Sequence, residues 1–185
     1  MKKPSFRAVV IGTAIISGVL TGILALLSCR FPAGWLLSLA ITCGTTFYHF
    51  AMRLLVGSLI PARFDYRKSW FQEKPFEKAL YRKLGLRRWK GNMPTYQPKL
   101  FSLEHYPLEE IIAHMCQAEV VHEVIALCSF LPLFFTFLWG DFLVFLLTSL
   151  AAACFDMLFV MLQRYNRPRL VRLLEKQRRK GNSHV

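Results

Sequence analysis

Three ionisable residues lie inside an otherwise apolar stretch of this chain, within Ala118–Glu123. When the stretch is wound as an α-helix, Glu119, His122 and Glu123 fall within an arc of about 100° and form one polar patch. A histidine can exchange a proton near neutral pH, and a carboxylate one helical turn away can orient its ring. The patch therefore predicts a catalytic site that activates a hydroxyl group, with His122 as general base and Glu119 as its orienting partner.

The same patch is also compatible with a structural role or with a metal site. A structural ion pair or a hydrogen-bonded histidine inside a membrane would use similar residues. A metal site could use His114, His122 and a glutamate, but His114 lies about 80° from His122 on the helical wheel, away from the glutamates. We therefore predict no metal. The chain has no serine nucleophile elbow, phosphate-binding loop, dinucleotide-binding glycine motif or HxxxxD acyltransferase signature.

The segment that carries the patch is long and apolar enough to cross a bilayer, since about 20 helical residues match a hydrocarbon core of roughly 30 Å. The rest of the chain shares this character, because 54% of its 185 residues are hydrophobic. The sequence predicts an all-α polytopic membrane helix bundle that forms a single integral membrane domain over residues 1–185. Its four transmembrane helices are expected at roughly 8–28, 35–60, 110–139 and 142–163.

Two local features refine these spans. The end of the first span, Leu26–Cys29, is similar to a lipoprotein cleavage box, but the apolar run before it is long for a signal peptide. We therefore expect the first span to be retained. Pro132 is expected to kink the far half of the third span, because proline removes a backbone donor.

Polar stripes on the second and fourth spans could face the same interior as the patch. The stripe on the second span consists of Thr42, Thr45, His49 and Arg53. It could contribute to a site, or its threonines could bond to backbone carbonyls while Arg53 reaches the membrane surface. On the fourth span, Asp156, Gln163 and Arg167 lie within about 40° of one direction. We expect this second stripe to meet the patch on the third span.

Positive charge orients the predicted bundle. Residues 61–107 contain eleven Lys or Arg and four acids, interleaved with aromatic side chains, and eight Lys or Arg follow in the basic tail at 164–185. The central segment is therefore expected at the membrane interface, where it could anchor to lipid headgroups, bind a phosphate-rich donor, or do both. The positive-inside rule predicts that both termini are cytoplasmic. The formal charge of +13 has no nucleic-acid recognition motif beside it, so no nucleic-acid partner is expected.

One octapeptide is more specific than the patch. Gln163–Leu170 reads QRYNRPRL, and together with the Glu119-x-x-His122 motif it resembles the glycosyl-4,4'-diaponeurosporenoate acyltransferase family. Shorter matches lie at Ile60-Pro61, Phe76-Glu77-Lys78 and Arg88-Trp89-Lys90. The resemblance extends from Val56 to the C-terminus in the same order, whereas the first span has no counterpart in it and Glu123 departs from the family pattern.

The resemblance implies an enzyme of the bacterial cell membrane that esterifies a sugar hydroxyl of a carotenoid glycoside with a fatty acyl group. His122 and Glu119 match its ExxH motif and are the expected catalytic residues. The expected substrate-binding residues are Arg164, Asn166, Arg167, Arg169, Gln163, Arg88, Lys90 and His49. No cofactor is expected; the co-substrate would be acyl-CoA or a similar anionic donor, and the partners would be membrane lipids and a lipid-linked acceptor.

Three alternatives remain compatible with these residues. The acceptor could be a glycolipid or another lipid alcohol, since nothing in the chain specifies a carotenoid. The protein could be a non-catalytic membrane scaffold of a lipid-synthesis complex, in which Glu119 and His122 only pack helices together. It could also be a reductase or a methyltransferase, with a nucleotide cofactor at the basic rim.

Overall fold

The computed structural model describes residues 5–31, 33–140 and 142–182, and every regular element in these ranges is helical. The α-helices are α1 (Phe6–Arg30), α2 (Gly34–Leu59), α3 (Glu77–Lys83), α4 (Leu86–Trp89), α5 (Leu108–Cys128), α6 (Thr136–Trp139) and α7 (Phe142–Asn182). Short 3-10 helices lie at Ser69–Phe71, Lys90–Asn92, Pro98–Phe101 and Leu131–Phe135. The predicted all-α class is confirmed.

Four helical stretches are long and apolar enough to cross a membrane. They are Phe6–Arg30, Gly34–Leu59, Leu108–Trp139 and Phe142–Lys180. Many of their large apolar side chains are exposed, for example Leu26 at 74% and Leu59 at 69%. Water would penalise this much exposed apolar surface, whereas lipid tails would not. The expected helix bundle with four helices capable of spanning a membrane is therefore confirmed.

Two of these helical stretches have features beyond their apolar length. The third span is interrupted, because α5 ends at Cys128 and a 3-10 helix with Pro132 in its first turn leads into α6. In the fourth stretch, α7 continues past residue 163 to Asn182, so the basic sequence up to that residue belongs to the same helix as the apolar part. Lys, Arg, Gln and Leu are good helix formers, which explains why the helix extends through the basic sequence and past Pro168.

The chain divides into two compact units. The first contains α1, α2 and Leu127–Ala153. In it, α1 and α2 pack closely through glycines: a Cβ at Gly18 would lie 3.0 Å from Phe47, and one at Gly44 would lie 3.3 Å from Thr21. The Tyr48 hydroxyl donates a hydrogen bond of 2.8 Å to the carbonyl of Cys128. Small residues at the contact allow close approach of membrane helices, where lipid gives no hydrophobic drive for association.

The polar stripe of α2 is largely satisfied by its own helix. The hydroxyls of Thr42 and Thr45 donate to the carbonyls of Ser38 and Ile41, each at 2.9 Å. The threonines therefore follow the second of their two predicted roles, bonding to backbone carbonyls. His49 is buried in the first unit, with its ring edge-on to that of Tyr48.

The second unit comprises Ile60–Ala126 and the chain from Cys154 onward. Its core includes Leu108 and Ile112 of α5 and Leu174 of α7, with Tyr66, Leu170 and Val171 packed against them. The short helix α3 lies in the central segment, and Gly85 follows it with a φ of 62° that favours glycine. The central basic segment is therefore a folded part of this unit, packed on α5 and α7.

The close packing of α1 on α2 predicts a position-specific effect of glycine substitution. Gly18→Ile should lower the free energy of unfolding by about 1–3 kcal/mol, because the new side chain would overlap Phe47. Gly22→Ile is the matched control, since a Cβ at Gly22 meets nothing within 4 Å. Unfolding of both variants in detergent measures the difference. Equal losses in the two variants would contradict the close contact of Gly18 with Phe47.

Candidate active site

The carboxylate of Glu119 lies at the centre of the second unit and is completely buried in α5. It accepts hydrogen bonds from two arginines of α7: Arg164 Nη1 at 2.5 Å from Oε1, and Arg167 Nη1 on Oε2. Arg167 is itself only 2% exposed. A buried carboxylate is tolerated only when it is paired and hydrogen-bonded, and two guanidinium groups provide this for Glu119.

The same two arginines hold the segment that leads into α3. Arg164 donates to the carbonyls of Trp70 and Gln72, each at 3.0 Å, and its Nε donates to Glu77 Oε1 at 2.7 Å. Arg167 Nη2 donates to the carbonyl of Phe71 at 2.6 Å. We call Glu77, Glu119, Arg164 and Arg167 the Arg–Glu network. Because two carboxylates balance two guanidinium groups, the network buries its charges without a formal excess.

His122 lies one helical turn beyond Glu119, but its partner is Asp156 of α7. His122 Nδ1 is 2.9 Å from Asp156 Oδ1, and the imidazole stacks on Phe159 at 4.6 Å between ring centroids. The Asp156 side chain is 1% exposed and that of His122 is 23% exposed. In the part of the chain that the structure describes, His122 Nε2 has no hydrogen-bonding partner. The hydrogen-bonding position of that nitrogen is therefore not used by any of the described residues.

This arrangement corrects the predicted role of Glu119. Glu119 does not orient His122, because its two oxygens are bound by Arg164 and Arg167. The expected meeting of the Asp156 stripe with the patch on the third span is observed. Asp156 of that stripe bonds to His122, and Arg167 of the same stripe bonds to Glu119.

Two other ionisable residues of α5, Glu123 and His114, belong neither to the Arg–Glu network nor to the His122–Asp156 pair. Glu123 Oε2 accepts a hydrogen bond of 3.1 Å from Trp70 Nε1. His114 Nδ1 lies 3.4 Å from Gln117 Oε1, and the imidazole ring of His114 is edge-on to the ring of Tyr106. Among residues 5–31, 33–140 and 142–182, no group of three or more His, Cys, Asp or Glu side chains is placed to hold a metal ion.

A basic cleft of about 590 Å³ lies in the same unit. Seven cationic side chains line it: Lys78, Arg82, Lys83, Arg87, Arg88, Arg169 and Arg172. Its single acidic residue is Glu73, which pairs with Lys78 at 3.4 Å. No other cation of the cleft has a carboxylate partner within the described ranges. Tyr81, Gly85, Tyr165 and Pro168 complete the lining.

Buried anchors hold the cations of α3 and α4 in place. Leu86 is fully buried and Tyr81 is 5% exposed, while the arginines beside them on α3 and α4 remain exposed. Tyr81 also packs edge-on against Tyr165, with 5.8 Å between ring centroids. Burial, together with the nearby charge of Glu77, raises the pKa of Tyr81. Its hydroxyl is therefore neutral at physiological pH and adds no negative charge to the cleft.

Tyr165 contacts two cations at the cleft, the lining residue Arg169 and the neighbouring Lys90. Lys90 Nζ lies 5.0 Å from the Tyr165 ring and donates a hydrogen bond of 3.1 Å to Asn166 Oδ1. Arg169 lies 4.8 Å from the same ring and donates to the Tyr165 hydroxyl at 3.0 Å. Cation–π contacts of this kind hold positive charge in place without neutralising it.

The predicted substrate-binding residues lie in different parts of the structure. Arg88 and Arg169 line the basic cleft, and Lys90 and Asn166 bond to each other beside it. The guanidinium groups of Arg164 and Arg167 bond to Glu119 in the Arg–Glu network. Gln163 is half-buried on α7, and His49 belongs to the first unit.

Sequence reasoning missed most of the cleft. In the sequence, its remaining cations look like interfacial or topology-setting charge; they are Lys78, Arg82, Lys83, Arg87 and Arg172. The available signal was the placement of cations on both sides of Gly85, next to apolar anchors, together with the one-turn spacing of Arg169 and Arg172.

A protein-family model matches the region of the chain that contains these residues. The family model for glycosyl-4,4'-diaponeurosporenoate acyltransferase matches residues 67–176, which is more than half of the 185 residues. The chain belongs to this acyltransferase family. The matched region contains the whole Arg–Glu network, the His122–Asp156 pair and every residue of the basic cleft, whereas α1 and α2 lie outside it. No curated protein and no solved structure was found to match the chain.

The Arg–Glu network predicts a large effect from the loss of one member. Arg167→Ala should lower the free energy of unfolding by about 3–5 kcal/mol, because it removes a partner of the buried Glu119 carboxylate. Arg178→Ala is the control, since the Arg178–Glu109 pair is exposed and should contribute at most about 1 kcal/mol. Unfolding in detergent measures both. A loss no larger than that of the control would show that the network does not stabilise the unit.

Proposed function

We propose that the protein transfers an acyl group from an activated, anionic donor to a hydroxyl group of a lipid-linked acceptor in the membrane. The observation that carries this proposal is the pairing of His122 Nδ1 with the buried carboxylate of Asp156. A carboxylate on Nδ1 favours the tautomer that carries its proton there, which leaves the lone pair of Nε2 available. His122 is then a general base with an open nitrogen, as acyl transfer to a hydroxyl requires.

The proposed reaction is balanced without a further reagent. Nε2 of His122 accepts the proton of the acceptor hydroxyl as that oxygen attacks the acyl carbonyl. The new ester bond forms, the bond to the leaving group breaks, and the imidazolium returns the proton to the leaving group. Asp156 stabilises the imidazolium during this interval, and stacking on Phe159 fixes the plane of the ring.

In this proposal the Arg–Glu network has a positioning role. Glu119 draws two arginines of α7 towards α5, and their remaining donors hold the carbonyls of residues 70–72. The elements that carry His122, Asp156 and the basic cleft are thereby fixed within one unit. Groups held in a fixed arrangement need less reorganisation on reaching the transition state.

The acceptor and the cellular setting are inferred from the family. Its description names a carotenoid glycoside, so we propose a sugar hydroxyl of such a lipid as the acceptor. We further propose a multi-pass protein of the bacterial cell membrane with both termini in the cytoplasm. The supporting features are the four membrane-capable helices and the concentration of Lys and Arg in residues 61–107 and after residue 163.

His122→Ala tests the proposed base. We expect the rate of acyl transfer to fall by about 10²–10⁴-fold, because proton transfer to a positioned base contributes that much. His114→Ala is the matched control on the same helix, since His114 contacts Gln117 and Tyr106 and should leave the rate unchanged. Lipid mass spectrometry of expressing cells and turnover by purified protein supply the measurement. If His122→Ala retains full turnover, His122 is not the base. If the unsubstituted protein shows no acyl transfer and His122→Ala impairs only stability or complex recovery, the scaffold alternative is favoured and the enzyme proposal fails.

Asp156→Asn separates the proposed orienting role from a packing role. The substitution preserves the shape of the side chain but removes the charge that stabilises the imidazolium, so turnover should fall at least tenfold. Glu123→Gln is the control, because Glu123 is a nearby carboxylate whose bond is to Trp70, and glutamine can still accept that bond. Equal activity of the two variants would remove Asp156 from the mechanism.

A further inference from the structure

We infer that the basic cleft binds a ligand with two or more phosphate groups, and that this ligand is the nucleotide end of a coenzyme A type acyl donor. The inference rests on the proposed function, because it names the donor of the same reaction. It goes beyond that proposal in assigning a site, formed by α3, α4 and one face of α7.

The charge of the cleft is the first argument. Seven cations face one carboxylate, and that carboxylate is already paired with Lys78. Cations crowded into one concave surface repel each other, and a multivalent anion relieves that repulsion. A single phosphate monoester would leave most of these charges unneutralised. A diphosphate with an additional phosphate, as in coenzyme A, matches the excess more closely.

The shape of the cleft is the second argument. Its volume of about 590 Å³ is in the range of small-molecule sites. Arg87 and Arg88 lie on α4, and Arg169 and Arg172 lie one turn apart on α7, so cations converge on the space from different helices. Arginine can bind phosphate oxygens with two parallel hydrogen bonds. The positive-inside rule alone requires only charge on this side of the membrane, not a cleft supported by the buried Leu86 and Tyr81.

The distance between the cleft and the proposed base is the third argument. It favours a donor whose phosphate groups lie far from its reacting carbonyl. Arg169 and Asp156 are thirteen residues apart on α7, which corresponds to roughly 20 Å along the helix axis. The cleft residues Arg169 and Arg172 also lie at least about 80° from Asp156 and Arg164 on the helical wheel of α7. In an acyl phosphate the reacting carbonyl is attached directly to the phosphate and would remain in the cleft. In acyl-coenzyme A, the long pantetheine arm separates the thioester from the phosphates and can bridge this distance.

Binding of coenzyme A to the full-length protein in nanodiscs of neutral lipid tests the inference directly. We expect Arg88→Ala and Arg172→Ala each to weaken binding roughly tenfold, the effect of losing one charge-assisted contact. Arg179→Ala removes the same charge from an exposed position of α7 outside the cleft, and should leave affinity within about twofold. Absence of coenzyme A binding, or equal weakening by all three substitutions, would overturn the inference.

Further arms of the experiment distinguish a donor from a lipid headgroup. Inorganic diphosphate should compete with coenzyme A for the cleft, whereas acetyl phosphate should compete much more weakly. Replacing neutral lipid with phosphatidylglycerol should leave coenzyme A binding largely intact. If phosphatidylglycerol abolishes it, and if Arg88→Ala and Arg172→Ala weaken association with phosphatidylglycerol, the occupant is a lipid headgroup and the donor assignment fails.

The two proposals can fail separately. His122→Ala should still bind coenzyme A, because His122 is not part of the cleft. If the cleft variants lose binding while His122→Ala retains turnover, the assigned base is wrong and the cleft assignment stands. If His122→Ala is inactive but the cleft variants keep their KM for the acyl donor, the proposed function stands and the cleft assignment is overturned.

Discussion

The structure of the second unit depends on the burial of one negative charge, the carboxylate of Glu119. A carboxylate at this depth is unfavourable unless cations solvate it, and Arg164 and Arg167 do so from α7. Each guanidinium group has more N–H donors than its contact with Glu119 uses. The surplus donors bind the carbonyls of residues 70–72, and Arg164 also binds Glu77. Satisfying one buried ion therefore also orders the chain that leads into α3.

This constraint explains how α7 can serve different purposes with similar residues. Arg164 and Arg167 face α5 and are neutralised, whereas Arg169 and Arg172 face the cleft and keep their charge available. The difference arises from the direction in which each position points on the helix, not from residue type. A single continuous helix thus carries the partner of His122, the arginines of the network and one wall of the cleft.

The two units also differ in how they satisfy polar groups. In the first unit, the threonines of α2 bond to carbonyls of their own helix, and glycines bring α1 and α2 together. In the second, polar side chains bond across distant parts of the sequence, as Arg164 does to Glu77 and His122 does to Asp156. All the proposed chemistry uses residues of the second unit, within the region that the family model matches.

The helical class, the four apolar stretches and the polar patch on the third of them can be predicted from the amino-acid sequence alone, because they follow from composition and from the periodicity of single helices. The sequence could not determine which polar residues bond to each other. On one helix, the spacing of Glu119 and His122 favours a local pair. Only the packing of α5 against α7 brings Asp156 to His122 and two arginines to Glu119, and these contacts satisfy the buried charges more completely. The basic cleft likewise depends on the packing of α3, α4 and α7. The sequence shows the number of cations but not the concave surface that they share.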